Sequence, residues 1–337
     1  MKNITIKDVA NKAGVSVATV SRVINNSEFV IDDTRTHVLK IVKELRYTPN
    51  NLARSLSRKK NESIGMLLPD LFSEFFSEVI RGVDQVVKEN KYHLFVSSSH
   101  NNKDDIEAAL NMMRGRVDGL IIMSPDLDVD ILNPLIAKNT PVVILNSKLK
   151  NSNHKLINYV SINNFEGAFN IVEHLIKHNH KDIAIIKGEE ENFEAIERYN
   201  GYINAMKKYN LVVNHKYEFH GNFTEESGYE AGEKYLQLKN KPTAIFATND
   251  SMAIGFMIKI KEAGLDIPKD IAVCGFDDIP ISKYFTPKLS TVHVPISEIG
   301  LIAANKIFDS LNNETNGSFI NTLIDTNIVL RESCGNH

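Results

Sequence analysis

From residue 63 onward, short apolar runs alternate with longer amphipathic segments, and that pattern leaves few architectures open. The runs cover residues 64–68, 93–96, 119–122, 142–145, 159–162, 183–186, 244–247 and 271–276. Nearly continuous apolar character marks strands covered on both faces, as the strands of parallel sheets are. Between the first two runs, residues 74–89 place Phe76, Val79, Ile80, Val83, Val86 and Val87 on one helical stripe. This βαβα alternation predicts α/β layers, with doubly wound parallel sheets and right-handed crossovers. Eight principal strands exceed one such unit, so two similar lobes are expected, over about 62–160 and about 161–292.

Ahead of this body lies a different pattern. Residues 8–25 read as two short helices joined by a turn at Gly14, the arrangement that sets one helix in a DNA major groove. Thr5 is placed to cap the first helix, and Asp8 completes a variant capping box. Ile6, Val9, Ala10 and Ala13 recur at helical spacing, and Gly14 suits a left-handed stop. Ser16 is placed to cap the second helix, whose buried stripe is Val20, Val23 and Ile24. Val17, Ala18, Ser21, Arg22 and Asn25 then share the exposed face. Arg22 suits a guanine edge, Val17 and Ala18 a thymine methyl, and Ser21 and Asn25 phosphates. A third helix over about 32–45 brings Val38, Ile41, Val42 and Leu45 to close a small all-α core.

A merely solvated helical hairpin is the plainer alternative, and charge argues against it. Residues 1–60 hold twelve Lys and Arg against five acids, a net of +7; the whole chain is −3, which leaves −10 for 61–337. A basic module on an acidic body is the electrostatic footprint of a nucleic-acid binder.

Arg22-Val23-Ile24-Asn25, Thr34-Arg35, Leu45, Tyr47-Thr48-Pro49-Asn50 and Ala53-Arg54-Ser55-Leu56 resemble the LacI/GalR family of bacterial transcription regulators. The resemblance extends over nearly the whole chain. It implies a helix-turn-helix headpiece over 1–48, a hinge helix and linker over 49–61, and an effector-binding, dimerising core over 62–337. The core would be two lobes like those of periplasmic binding proteins. In that pattern 293–323 rejoins the first lobe and 324–332 the second, through a helix near 297–311 and a strand near 326–330. Thr5, Ser16, Thr19, Asn50 and Ala53 join the DNA-contacting set, and Leu56 wedges into a central base step from the minor groove. A helix as short as 49–57 is marginal alone, so it is expected to order on DNA. A half-site reader needs a two-fold partner on a near-palindromic operator, so a homodimer is expected. Only seven residues follow Leu330, too few for a heptad tail. Ile31 departs from the family, which has a capping Ser there. Asp32 or Asp33 is expected to take that role, with a shifted helix start.

Open α/β sheets bind ligands just beyond the carboxyl ends of their strands. Those positions are polar here: 70–76, Ser124, Asn146, Asn163, 189–198, Phe223, Asn249-Asp250 and Asp277-Asp278. Carboxylates, amides and an Arg, with Phe75, Phe76 and Phe223 as flat apolar faces, suit a polyol such as a sugar. The resemblance carries effector binding onto Arg198, the Asn249-Asp250 pair and Asp277, with Phe223 as a stacking aromatic. Asn146 and Asn163 stand where relatives have Asp, and Met123 where a polar residue is frequent. Asp250 and Asp278 have a structural alternative, as caps of a helix and a turn.

Other classes find little support. No Gly-Lys-Ser/Thr phosphate loop, no GxGxxG run and no GxSxG turn occurs, so neither an enzyme nor a cofactor is expected. His174, His178 and His180 fall at a helix C-terminus, which the dipole favours, and a metal needs a further ligand. Cys274 and Cys334 are too few for a disulfide framework, and Cys274 reads as a small core residue. No apolar signal segment opens the chain, and no run reaches the roughly 18 apolar residues of a membrane span; a cytoplasmic protein is expected. A sugar receptor without a DNA role is opposed by the basic headpiece. A purine effector, or a phosphorylated carrier protein docking on the late helix, are further alternatives. That helix offers Asn305, Lys306 and Asp309 but no Arg for a phosphate. The leading expectation is a repressor of carbohydrate-utilisation genes, controlled by a small-molecule effector.

Overall fold

The computed structural model describes residues 4–25, 29–48, 60–124, 129–136, 139–147, 157–312 and 321–335. Backbone contacts divide the chain into two units, Met1–Asn61 and Glu62–His337.

In the first unit, α1 (Ile6–Ala13) opens on Thr5, whose Oγ1 accepts from Asp8 N at 3.4 Å while Asp8 Oδ2 accepts from Thr5 N at 2.8 Å. Two backbone donors at the helix start are thereby satisfied. Gly14, at φ 63°, ends the helix in the left-handed conformation. Ser16 Oγ accepts from Thr19 N at 3.0 Å and starts α2 (Val17–Ile24). A third helix, α3 (Asp32–Glu44), closes a core of Val9, Ala10, Ala13, Val20, Val23, Val38 and Ile41. The expected shift of its start does not occur. Ile31 itself holds the N-cap position without a side-chain hydrogen bond, and Asp32 and Asp33 lie in the first turn, where their charge meets the positive end of the helix dipole.

The second unit contains two parallel sheets. The first has six strands in the order β11-β5-β4-β3-β1-β2. They are β1 (Ser63–Leu68), β2 (His93–Ser98), β3 (Gly119–Met123), β4 (Val142–Leu145), β5 (Ile157–Ile162) and β11 (Asn321–Ile324). The second sheet runs β7-β6-β8-β9, from β6 (Ile183–Lys187), β7 (Glu218–His220), β8 (Ala244–Ala247) and β9 (Ala272–Cys274). A two-stranded antiparallel ribbon pairs β10 (Thr291–His293) with β12 (Asn327–Val329). All six residues of β1 and all five of β3 are buried. Each large aliphatic side chain so covered contributes roughly 1.5–3 kcal/mol.

Helices complete the layers: α4 (Glu74–Glu89), α5 (Lys103–Met113), α6 (Val129–Ile136), α7 (Asn164–Lys177), α8 (Phe193–Lys208), α9 (Glu225–Leu236), α10 (Asp250–Glu262) and α11 (Ile296–Leu311). Val79, Val83, Val86 and Val87 of α4 are buried along the expected stripe. The helix packs on α11, and glycines sit at the contact: a Cβ on Gly82 would stand 2.0 Å from Ser297 O, and one on Gly300 2.2 Å from Val79 O.

All eight apolar runs are strands or overlap strands. The three-residue β7 and β10, and β11 at the sheet edge, carry no comparable run. Sheet membership also moves two boundaries: Ser161 and Ile162 pair with Leu323 and Ile324 in the six-stranded sheet, so all four belong to the first lobe. In both sheets the strand order reverses direction once, between β1 and β3 and between β6 and β8. Those switch points are where a ligand crevice opens in such sheets.

Candidate functional site

The outer face of α2 carries Val17, 40 % exposed, with Ala18 and Arg22 exposed beside it. Ser21 and Asn25 are half-buried and joined, Asn25 Nδ2 donating to Ser21 Oγ at 3.3 Å. Thr5, Ser16 and Thr19 have structural work: Thr5 and Ser16 cap their helices, and the Ser16 and Thr19 hydroxyls lie 2.9 Å apart. Asn50, Ala53 and Leu56 lie outside the described residues.

In the body, Arg198 rises from α8 and is only 2 % exposed. Its Nε donates to Asn164 Oδ1 at 2.8 Å and its Nη1 to Thr248 O at 2.6 Å. Nη2 stands 3.2 Å from Asp277 Oδ1 and 3.5 Å from Glu194 Oε1, and the guanidinium lies over the Phe276 ring at 3.9 Å. Two carboxyls thus share one cation. Burial pushes both the Asp277 and the Glu194 carboxyls up, with Arg198 opposing. Asp277 sits at φ 111°, held by Asp277 N donating to Val292 O at 2.9 Å. Such a backbone costs a non-glycine residue about 1–3 kcal/mol and recurs at ligand clamps.

Phe223, also at positive φ (68°), lies against Gly188, where a Cβ would stand 2.2 Å from the ring Cζ. Glycine at the end of β6 is what lets the ring lie there. Asn249 fixes the same loop, donating from Nδ2 to Phe223 O at 2.9 Å while its Oδ1 caps α10 through Met252 N at 3.0 Å. Asn249, not Asp250, is therefore the helix cap. The buried Asp250 carboxylate accepts from Ile279 N (3.0 Å), Ser282 Oγ (2.7 Å) and Thr291 Oγ1 (2.5 Å), and burial pushes it up to about 7. Asp278 does not cap a turn either; it meets Arg331 Nη2 at 2.5 Å and His293 Nδ1 at 2.9 Å.

On the first lobe, Phe75 and Phe76 are half-buried and meet edge to face at 5.5 Å. Asn146 Oδ1 accepts from Ile162 N at 2.9 Å. Asn163 is occupied as the cap of α7 and by Glu166, to which it donates at 2.6 Å. Its neighbour Asn164 meets Arg198 instead. Asn164 and Thr248 are thus site residues that strand-end reading did not single out, and Glu194 lay within 189–198 without a role of its own.

Among the described residues, four buried side-chain atoms have no hydrogen-bond partner: Ser124 Oγ, Asn146 Nδ2, Thr248 Oγ1 and Asp277 Oδ1, the last in ion contact with Arg198. Ser124 and Asn146 follow the paired strands β3 and β4; Thr248 and Asp277 follow β8 and β9. Buried polar atoms are almost always paired, so each exception asks for an explanation. The lobes also touch: Glu74 Oε2 accepts from Ile281 N at 3.0 Å, and Asn101 Nδ2 donates to Glu189 Oε2 at 3.5 Å. Among the described residues no group of three His, Cys, Asp or Glu is placed to hold a metal ion, and no helix is long and apolar enough to cross a membrane.

A helix-turn-helix unit joined to a body of two parallel α/β lobes defines a regulator with a ligand-binding core. Residues 5–50 match the bacterial regulatory proteins of the lacI family, and residues 172–334 a periplasmic binding protein-like domain. The chain is 38 % identical over 335 residues to the probable HTH-type transcriptional repressor ExuR of Bacillus subtilis (strain 168), covering 98 % of each. It is 39 % identical over 310 residues to the HTH-type transcriptional repressor PurR of Histophilus somni (strain 129Pt), covering 91 % of this chain and 92 % of that one. Among solved structures, the lac repressor dimer bound to operator and the anti-inducer ONPF superimposes with a TM-score of 0.85 at 28 % identity, over 99 % of this chain and 100 % of that one. The chain belongs to the LacI family of DNA-binding transcriptional repressors.

Proposed function

We propose that this repressor acts as a homodimer whose operator affinity is set by a small polyhydroxylated ligand, a sugar, held between the two lobes. The four buried polar atoms without a hydrogen-bond partner carry the reading, Asp277 Oδ1 among them meeting only the Arg198 cation. Two follow strands of each sheet, so a ligand that supplies hydroxyls to both lobes satisfies atoms that are otherwise costly to bury. Phe75, Phe76 and Phe223 offer flat faces to its C–H surface, and Arg198 and Asp277 offer charged partners to its hydroxyls. In the headpiece, Arg22 reads a guanine and Val17 and Ala18 pack on a thymine methyl. A purine is the second reading, favoured by the similarity to PurR and by the same three aromatic rings.

A thermal-shift screen of sugars and purines, with each hit assayed for its effect on operator binding, tests the proposal. Sugars that stabilise the protein and change operator affinity support it; a response to purines alone selects the second reading. Arg198→Ala and Asp277→Ala are expected to bind operator yet lose several-fold to a hundred-fold in ligand affinity, since each leaves polar groups unpaired in a closed site. Light scattering is expected to report a dimer.

A further inference from the structure

Away from the cleft, the second lobe brings both cysteines to one place. Cys274 ends β9, and Cys334 ends the single 3-10 turn Glu332–Cys334. Ser333 docks that turn on β9: its Oγ donates to Val273 O at 2.7 Å and accepts from Ser290 N at 2.8 Å. Ser290 is tied to both cysteines. It bridges Cys274 through the backbone, and its hydroxyl donates to Cys334 Sγ at 3.1 Å. The turn that carries Cys334 packs on β9, the strand that Cys274 ends. His174 Nε2 stands 3.7 Å from the Cys334 sulfur, with the His178 ring 4.1 Å from its own and tilted by 41°.

One sulfur therefore collects a hydroxyl and an imidazole beside a second cysteine, the surroundings that favour a thiolate. The same contacts hold the Cys334 thiol down to about 4 and push Cys274 up. Reactive cysteines are commonly poised next to a second, resolving thiol. Both cysteines here are buried, so peroxide reaches the Cys334 sulfur when the three-residue turn that carries it opens locally.

We propose that Cys334 is a peroxide-reactive thiolate and Cys274 its resolving thiol, so that oxidation closes a Cys274–Cys334 disulfide. The Cys334 sulfur attacks one oxygen of hydrogen peroxide and breaks the O–O bond. A sulfenic acid forms, and the second oxygen leaves as water with the proton Cys334 gave up. The Cys274 sulfur then attacks the sulfenic sulfur; the S–S bond forms, the S–O bond breaks, and a second water leaves with the Cys274 proton. Two thiols lose two electrons and the peroxide gains them. The loop so closed contains β10, α11, β11 and β12, hence the passage into the first lobe and the return from it. Cross-linking a loop of that length restricts the unfolded chain and is expected to raise Tm.

The test adds hydrogen peroxide to the reduced full-length protein and analyses a non-reduced digest by mass spectrometry. A linked peptide holding Cys274 and Cys334, reversed by dithiothreitol and accompanied by a higher Tm, is expected. In Cys274→Ser the sulfenic acid on Cys334 persists and is trapped by dimedone; in Cys334→Ser, Cys274 stays reduced. His174→Gln slows oxidation several-fold. Two thiols still alkylated by iodoacetamide after peroxide and unfolding overturn the proposal. Sulfinic acid at Cys334 without a linked peptide overturns the resolving role of Cys274. The wild-type measurement decides even where a variant does not fold.

Discussion

At the scale of single residues, Arg22 and Asp250 show how burial separates two kinds of charged side chain. Arg22 is exposed on α2, where it is free to form a bidentate pair with a base edge. Arg22→Ala is expected to cost about 1–3 kcal/mol on the operator and to relax preference at one symmetric base pair. Competition gel shifts against random DNA check this; equal loss on both would remove the base-reading role. Asp250 is buried, and its carboxyl moves from 3.8 up to about 7, with burial the largest cause. The folded protein therefore binds that proton more tightly than the unfolded chain does. The stabilisation is fully present below pH 3.8 and is lost as pH rises through about 7. Asp250→Asn is expected to flatten the fall in stability across that interval, as measured by urea unfolding. An unchanged slope would assign it to the other raised carboxyls, Asp277 and Glu194.

At the scale of elements, the site depends on close approaches that only glycine permits. The end of β6 holds Phe223 because Gly188 leaves the ring its space. Gly188→Ala inserts a methyl into that contact, so the ring has to swing away or the strand shift. Overpacking of this kind costs about 1–3 kcal/mol. The expected outcome is a modest fall in Tm together with a larger loss of ligand affinity. Calorimetric titration beside thermal unfolding separates the two, and unchanged affinity would show that Phe223 does not face the ligand. Caps work at the same scale. Asn249 and Asn163 both hold a helix N-terminus, and Asn249 also holds the Phe223 loop, so the role expected of it at the proposed site is one of position.

At the scale of the whole body, the hydrogen bonds between the lobes include Glu74 with Ile281 N and Asn101 with Glu189. A ligand shared by both lobes shifts their arrangement only by its difference in affinity between the closed and open forms. Glu74→Ala removes one contact between the lobes, worth roughly 0.5–1.5 kcal/mol. Ligand binding is expected to weaken by about two- to tenfold, with the association read by calorimetry. An unaltered Kd would mean that this contact does not differ between the two forms. Linkage is reciprocal, so operator DNA changes ligand affinity by the same factor that ligand changes operator affinity.

Much of this protein was legible along the chain, because the signals concerned are local. A strand covered on both faces writes a continuous apolar run, and a capped helix writes Thr5 with Asp8 or Ser16 with Thr19 within four residues. The eight runs, the three headpiece helices and the strand-end position of Asp277 follow from such spacing, while Arg198 and Phe223 rest on the family resemblance. What the tertiary structure alone decided depends on partners far apart in sequence. Asn164 rather than Asn163 meets Arg198, Thr248 offers it a carbonyl, and Glu194 shares its charge with Asp277. Asn249 takes the cap that Asp250 leaves for a buried anchor, and β11 finds the edge of β5 without an apolar run of its own. These outcomes are set by strand order, by helix rotation and by backbone angles such as φ 111° at Asp277. No window of neighbouring residues contains them, because the groups that fix each one arrive from elements tens to more than a hundred positions away.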